Sequence, residues 1–167
     1  ANILIAQADL YRKMSRYADA EKTLEEALKV FSSHYSEEHP SICETQVRLA
    51  KVLSDEGKYQ QAREIAQKAL KNEQALIGDS DNLFVARAKE CVGNTYRQDG
   101  HYDQAQKLLE EVLTEKRHVL GYDNLEIAIT IRNLALVHTE EANFKEAEEL
   151  LQESMKIIDA QTGPDHP

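Results

Sequence analysis

The residues whose types could bind a metal are six histidines, two cysteines and numerous carboxylates scattered along the chain. A metal site on helices needs such ligands three or four positions apart, converging with a second pair from a neighbouring helix. His138 and Glu141 have this spacing, but no second pair accompanies them. His39 and His166 each precede a proline and are better explained as linker residues. The sequence therefore predicts no metal site, and nothing in it points to a cofactor.

Adjacent glutamates are the other candidates for chemistry, because paired carboxylates can act as general acid and base when they converge in a water-poor cleft. The pairs are Glu25-Glu26, Glu110-Glu111, Glu140-Glu141 and Glu148-Glu149. Neighbouring residues on a helix point about 100° apart, so these carboxylates are predicted to be solvated and not to face each other. Cys43 and Cys91 have no nearby histidine that the sequence would pair with them, so a nucleophile is not expected, and Gly93 is isolated and belongs to no phosphate-binding loop. The chain is therefore not predicted to be an enzyme.

The composition favours soluble helices. Hydrophobic residues make up 41% of the 167 residues and charged residues 30%, with only six glycines and three prolines. No apolar run approaches the roughly 20 residues that span a bilayer. A net charge of −10 argues against nucleic acid and against anionic membranes as partners. The two unpaired cysteines and the lack of a signal peptide predict a reducing, cytoplasmic location.

An internal repeat is the strongest feature of the sequence. An aromatic residue followed three positions later by alanine occurs at Tyr17, Tyr59, Tyr102 and Phe144, in steps of 42, 43 and 42 residues. A second register agrees with the first. It consists of His39-Pro40, Asn82-Leu83, Asn124-Leu125 and His166-Pro167. The extra residue lies in the loop at 78–81, where stacked helices tolerate an insertion.

Each repeat is predicted to form two helices, because apolar residues recur at three-and-four spacing and no segment alternates as a strand would. The predicted helices are 2–14, 18–34, 40–56, 60–77, 82–99, 103–120, 124–141 and 145–161. Small residues recur inside them and should let paired helices approach closely. These are Ala8, Ala50, Gly93 and Ala135 in the first helices, and Ala20, Ala62, Ala105 and Ala147 in the second. The repeated aromatic is expected to be a buried wedge where each second helix begins.

These motifs resemble the tetratricopeptide repeat (TPR). Val92-Gly93-x-x-Tyr96 and Leu134-Ala135-x-x-His138 are similar to the first part of its pattern, and Tyr17-x-x-Ala20 and its copies to the second. The 42-residue period and the segment Gly163–Pro167 are similar to the kinesin light chain variety. The resemblance implies an all-α, right-handed α-solenoid of four helical hairpins, with about eight helices. It also implies a groove, lined by the first helix of each hairpin, that binds an extended peptide.

The whole chain, 1–167, is predicted to be a single array. Its repeats are expected at approximately 1–38, 39–80, 81–122 and 123–164, with residues 165–167 starting a fifth repeat. Because the chain begins inside a helix and ends at such a start, it is expected to be an excerpt whose uncapped repeats could associate end to end.

Superposing the repeats gives a set of polar residues for the groove. The predicted peptide-binding residues are Asn2, Arg12, Lys13, Arg48, Lys51, Arg87, Asn94, Arg97, Arg132 and Asn133. On this face seven basic residues outnumber five acidic ones, namely Asp9, Glu44, Asp55, Glu90 and Glu140. The excess favours a peptide that carries acidic residues, held by arginine forks and by asparagine amides. The alternative is that mixed charge is simply the default of a helix surface.

Kinesin light chains, which this sequence resembles, bind cargo peptides that contain tryptophan flanked by acids. The asparagine that they repeat before Leu-Ala is retained here only as Asn133. The resemblance therefore implies the groove and not the cargo.

Three classes of function remain open from the sequence. The first is an adaptor or scaffold that binds a protein or peptide. The second is a structural spacer or self-association array within a larger sensor or scaffold protein. The third is a catalytic domain fused outside these residues.

Overall fold

The computed structural model describes residues 1–77 and 82–162. Over these residues the chain forms eight α-helices and no strand. The helices are α1 (Asn2–Lys13), α2 (Tyr17–Ser32), α3 (Pro40–Asp55), α4 (Tyr59–Ile77), α5 (Leu83–Gln98), α6 (Tyr102–Leu120), α7 (Leu125–Glu140) and α8 (Phe144–Thr162). The ends predicted from sequence lie within two residues of these bounds.

The second sequence register corresponds to helix caps. Asn82 and Asn124 precede α5 and α7, and each side-chain oxygen accepts a hydrogen bond from the backbone N–H two residues later, at 2.8 and 2.9 Å. His39 has the same role before α3, where its ring accepts from the N–H of Ser41. Each cap satisfies one of the donors that the first turn leaves unpaired. The repeated residue thus fixes where the first helix of a hairpin begins.

The four turns inside the hairpins share one backbone geometry. Gly57 and Gly100 have positive φ, at 86° and 80°, and Ser15 and Ala142 take the same left-handed conformation at 57° and 62°. In each turn the next residue donates a backbone hydrogen bond to the carbonyl five positions earlier, as Lys58 does to Leu53 at 2.8 Å. This is the pattern of a helix closed by a left-handed residue. All four hairpins therefore fold back in the same way.

The hairpins stack in chain order. Each helix packs against its neighbour along the chain, and in addition α3 contacts α5 and α5 contacts α7. The two clusters of buried residues share Tyr96, so the core continues along the stack. This arrangement confirms the predicted all-α solenoid and leaves the first helices side by side on one face.

The small residues permit close packing, as predicted. Ala50, Ala62 and their equivalents are buried. At Gly93, an added Cβ would lie 3.0 Å from Cγ of Leu109, nearer than carbon atoms normally approach. Helix α6 therefore packs directly against the backbone of α5.

The repeated aromatic residues are less buried than the sequence predicts. Tyr17, Tyr59 and Tyr102 are only half-buried, and Phe144 is 66% exposed. Each starts the second helix of a hairpin, and Tyr17 and Tyr102 pack against the buried clusters while part of each ring stays open to solvent. The buried residues of the motif are instead the alanines three positions later, Ala20 and its copies.

Some predictions fall on residues that the structure does not describe. The inserted loop at 78–81 and the start of a fifth repeat at 165–167 lie outside the described residues. The repeat boundaries in sequence therefore stay predictions. Among the described helices none is both long and apolar enough to cross a bilayer.

Candidate binding groove

The face formed by α1, α3, α5 and α7 contains two adjoining cavities, each of about 340 Å³. The first, here the proximal cavity, is lined by residues that include Arg48, Glu73 and Phe84. The second, the distal cavity, is lined by residues that include Asn94 and Arg132. Both walls contain Arg12 and Lys51, so we treat the two cavities as one groove.

Most of the predicted binding residues line this groove. The eight that do are Arg12, Arg48, Lys51, Arg87, Asn94, Arg97, Arg132 and Asn133. Asn2 and Lys13 are exposed on α1 and line neither cavity. Binding of a peptide by any of them stays a prediction.

The arginines of α1 and α3 are already paired with carboxylates. The guanidinium of Arg48 donates to Asp9 at 2.6 Å and to Glu44 at 2.9 Å. Arg12 donates to Asp55 at 2.6 Å. Two of these bonds join the first helices of repeats one and two, and the charges of Arg12 and Arg48 are thereby neutralised within the chain.

The two groove arginines of repeat three also have acidic neighbours, in both cases from repeat four. Arg87 donates to Glu126 at 2.7 Å, and Arg97 lies 3.6 Å from Glu140. Burial opposes ionisation of Glu126, but Arg87 and Lys116 outweigh it and hold the pKa of this carboxyl below its ordinary value. Glu126 is therefore a carboxylate in the groove wall at neutral pH.

The positive excess expected from the sequence is not found. Glu73 and Glu126, which sequence superposition did not assign to the groove, also line it, and six basic residues then face six acidic ones. Lys51 and Arg132 are the groove cations that make no ion pair with any residue in 1–77 or 82–162. Both line the distal cavity, which is therefore the most positive part of the groove.

A buried polar network lies beneath the groove. Lys116 of α6 is 0% exposed, and its ammonium donates to Glu90 at 2.9 Å, to Thr130 at 3.0 Å and to Glu126 at 3.2 Å. Glu90 also accepts from the Thr130 hydroxyl at 2.7 Å and from the Asn133 amide at 3.2 Å. Glu90 and Asn133 thus hold α5 and α7 together, and the Glu90 carboxylate is already engaged by groups of the chain itself. Sequence reasoning missed Lys116 because a lysine on a second helix is normally solvated.

Two polar atoms of the distal cavity lack a hydrogen bond. Oδ1 of Asn94 and Nε of Arg97 are both closed off from solvent and have no partner in the part of the chain that the structure describes. One is an acceptor and the other a donor. Ile129 and Leu136 are partly exposed in the same wall. The distal cavity therefore offers apolar area together with polar groups that are still unsatisfied.

Glu73 is the unexpected acid of the proximal cavity. It belongs to α4, is 3% exposed, and neither accepts a hydrogen bond nor forms an ion pair with the described residues. Burial, and then the charge of Glu44, raise its pKa to about 7. No sequence signal distinguished it, because α4 was expected to face away from the groove.

The two cysteines are thiols at neutral pH. Burial raises the pKa of Cys91 to about 11, and burial together with Glu73 does the same for Cys43. His138 lies 3.9 Å from Glu141, but no group of three metal-ligating side chains occurs among the described residues. The chemistry of the groove is therefore that of hydrogen bonds and charge.

Comparison with known proteins agrees with this geometry. The model of the family "Tetratricopeptide repeat" matches residues 1–75 and 84–167. The chain belongs to the tetratricopeptide repeat family. It is a protein–protein interaction module of the kinesin light chain-like kind, in a family of non-enzymatic interaction scaffolds.

The relatives of this TPR array are distant in sequence. A kinesin light chain-related protein of Arabidopsis thaliana is 24% identical over 99% of the chain, which spans about a quarter (25%) of that relative. The crystal structure of BtubC (BKLC) from P. vanneervenii superposes with a TM-score of 0.77, and the two sequences are 26% identical. The match covers 99% of this chain and 65% of that one.

A further structure shares the fold at lower identity. A Rap protein complexed with competence and sporulation factor superposes with a TM-score of 0.82 at 15% identity, covering 94% of this chain and 42% of that one. At that identity the likeness concerns the fold of the TPR array alone.

Proposed function

We propose that this TPR array binds an extended peptide in its groove, as part of an adaptor or scaffold protein. The observation that carries the proposal is the distal cavity, where Asn94 and Arg97 keep a buried acceptor and a buried donor without partners. Buried polar groups without partners are unfavourable, so a ligand that satisfies them gains binding free energy. An extended peptide offers both N–H and C=O groups along its backbone.

The two unpaired cations suggest what the peptide carries. Lys51 and Arg132 line the distal cavity from α3 and α7. Because the other groove arginines are held by carboxylates of the chain itself, an acidic side chain of the ligand would pair with these two. The acidic character of the peptide therefore rests on Lys51 and Arg132, and not on a net charge of the whole face.

The fold of this array also occurs in a protein that was solved together with a partner. The Rap protein, which has the same fold, was crystallised as a complex with competence and sporulation factor. A stack of helical hairpins with its first helices exposed is thus compatible with holding a partner.

The test is a peptide-array screen of the wild-type array against Lys51→Glu and Arg132→Glu variants. Lys107→Glu is the matched control, since Lys107 is exposed on α6 outside both cavities. We expect acidic peptides bound by the wild type to be lost with the two groove variants and retained with the control. Equal binding by all four proteins would refute the proposal. Asn94→Ala should weaken every bound peptide, acidic or not, because its amide would pair with the backbone.

Self-association is a second candidate. Met155 and Leu151 of α8 are exposed, and so are Ile3 and Leu10 of α1 at the other end of the stack. Because α2 and α6 cover α3 and α7 within the array, α8 could cover α1 of a second copy in the same way. Sedimentation velocity over a wide concentration range tests this. Association that disappears in Met155→Glu but not in Arg132→Glu would favour the spacer over the adaptor.

Several predictions of the sequence remain to be tested. They are the lack of enzymatic activity, the lack of binding to nucleic acid and to membranes, and the cytoplasmic location.

A further inference from the structure

The proximal cavity contains an acidic side chain that has no direct partner among the described residues. Its guanidinium groups are engaged, Arg48 by Asp9 and Glu44 and Arg87 by Glu126. Glu73 is different, because its carboxyl group is buried in the cavity wall with no hydrogen bond and no ion pair among the residues described. A buried carboxylate is normally paired or hydrogen-bonded.

The surroundings of Glu73 define what could pair with it. Glu44 lines the same cavity and, as a like charge, makes Glu73 still harder to ionise. Phe84 of α5 lies in the wall with 40% of its surface exposed, which provides an aromatic face in the same cavity. A cation would be attracted by both.

We infer that the proximal cavity accepts the ammonium group of a lysine side chain of the bound peptide, with Glu73 as its counter-ion. The inference rests on the proposed peptide binding and specifies one residue of the ligand. The cavity of about 340 Å³ is many times larger than the space that a single water molecule needs, so it accommodates a lysine side chain. The four methylene groups would lie against Phe84 while the ammonium donates to Glu73.

The carboxylate can reach such a ligand. Oε2 of Glu73 is closed off from solvent, but the terminal torsion of a glutamate is broad and two-fold, so rotation exchanges the two oxygens. Lys51 lines the cavity as well and makes no ion pair with Glu73. Glu73 therefore has no counter-ion within the described residues, and in this inference the peptide supplies the cation.

Together the two cavities predict a charge pattern in the ligand. A lysine would enter the proximal cavity beside Glu73, and an acidic side chain would lie in the distal cavity near Lys51 and Arg132. The residues between them would cross the groove at Arg12, which lines both cavities.

The experiment compares two capped pentapeptides, Ac-Ala-Ala-Lys-Ala-Ala-NH₂ and the same peptide with norleucine in place of lysine, by NMR titration of the labelled array. The proteins are the wild type, Glu73→Gln and the control Glu64→Gln, which changes an exposed glutamate of α4 that accepts from Gln60. We expect the wild type and the control to bind the lysine peptide roughly tenfold more tightly than the norleucine peptide, and Glu73→Gln to lose that preference.

Two results would overturn the inference. One is equal affinity of the wild type for both peptides, including no detectable binding of either. The other is an unchanged preference in Glu73→Gln. Circular dichroism melting of each variant checks that it folds, and Phe84→Ala provides a second route to the same loss without changing a charge.

The outcome can be separated from that of the proposed function. If Arg132→Glu no longer binds acidic peptides while Glu73→Gln binds the lysine peptide as the wild type does, the proposed peptide binding stands and the inference fails. If the lysine peptide depends on Glu73 but no peptide depends on Lys51 or Arg132, the acidic part of the proposed function fails and the lysine site stands.

Discussion

Replacing Glu73 by glutamine should make the protein more stable at neutral and alkaline pH. The carboxyl group is 3% exposed, has no partner in the described structure, and its pKa is raised from 4.5 to about 7. Between these two pH values the folded protein keeps the proton that the unfolded chain has lost. Folding stability therefore falls as the pH rises through this window and then levels off above it. Glutamine has nearly the same shape and no charge to desolvate.

The size of the effect follows from the pKa difference. A shift from 4.5 to about 7 corresponds to about 3 kcal/mol at most, since each pH unit is worth about 1.4 kcal/mol. The acid faces a cavity that water can enter, so we expect about 1–3 kcal/mol. The other ionisable groups that line the cavity are Asp9, Arg12, Glu44, Arg48, Lys51, Arg87 and Glu126. The neighbouring Cys43, with its pKa of about 11, does not titrate in this window.

The assay is urea denaturation followed by circular dichroism at several pH values. Near pH 4.5 the wild type and Glu73→Gln should have the same free energy of unfolding, because the acid is then protonated in the folded state. By roughly pH 8 the variant should be the more stable protein. Glu64→Gln, on the exposed side of the same helix, should show no such divergence. A difference between wild type and Glu73→Gln that does not change with pH would show that Glu73 is not desolvated.

Three other substitutions test the packing of the array by the same unfolding measurement. Lys116→Met leaves Glu90 buried without its cation and should cost about 3–5 kcal/mol, and changing Glu90 to Gln as well should recover much of that loss. Gly93→Ala should lower stability by about 1 kcal/mol, because crowding against Leu109 exceeds the gain in helix propensity, and an increase in stability would mean that α6 can move away. Phe144→Ala should cost less than about 1 kcal/mol, since the ring is mostly exposed, and a loss as large as that of a core aromatic would contradict the observed exposure.

The architecture could be predicted from the sequence alone. The aromatic residues at Tyr17, Tyr59, Tyr102 and Phe144 mark the first residues of α2, α4, α6 and α8, and the second register, that of the capping residues, precedes α3, α5 and α7. These signals are local. Three-and-four spacing, caps and left-handed turns each involve a few neighbouring residues, and a repeat presents the same evidence several times.

The sequence predicted which residues line the groove, but not which of their charges are free. Eight of the ten proposed residues line it because they occupy equivalent positions on equivalent helices. Their free charge was overestimated, since Arg48 is neutralised by Asp9 from the preceding repeat and Arg87 by Glu126 from the following one. Periodicity identifies the face of a helix, but not which acid of another repeat comes within hydrogen-bond distance.

Only the tertiary structure decided the state of Glu73 and Lys116. Both lie on second helices, where a charged residue would ordinarily be solvated, yet each is buried. Lys116 meets Glu90 and Glu126 and is satisfied, whereas Glu73 meets Glu44 and is not. The sequence determined the repeat, the helices and the face that they expose, because these depend on neighbours within a few residues. Burial and ion pairing depend on side chains that come together only when the hairpins stack, and so the chemistry of the groove was settled by packing.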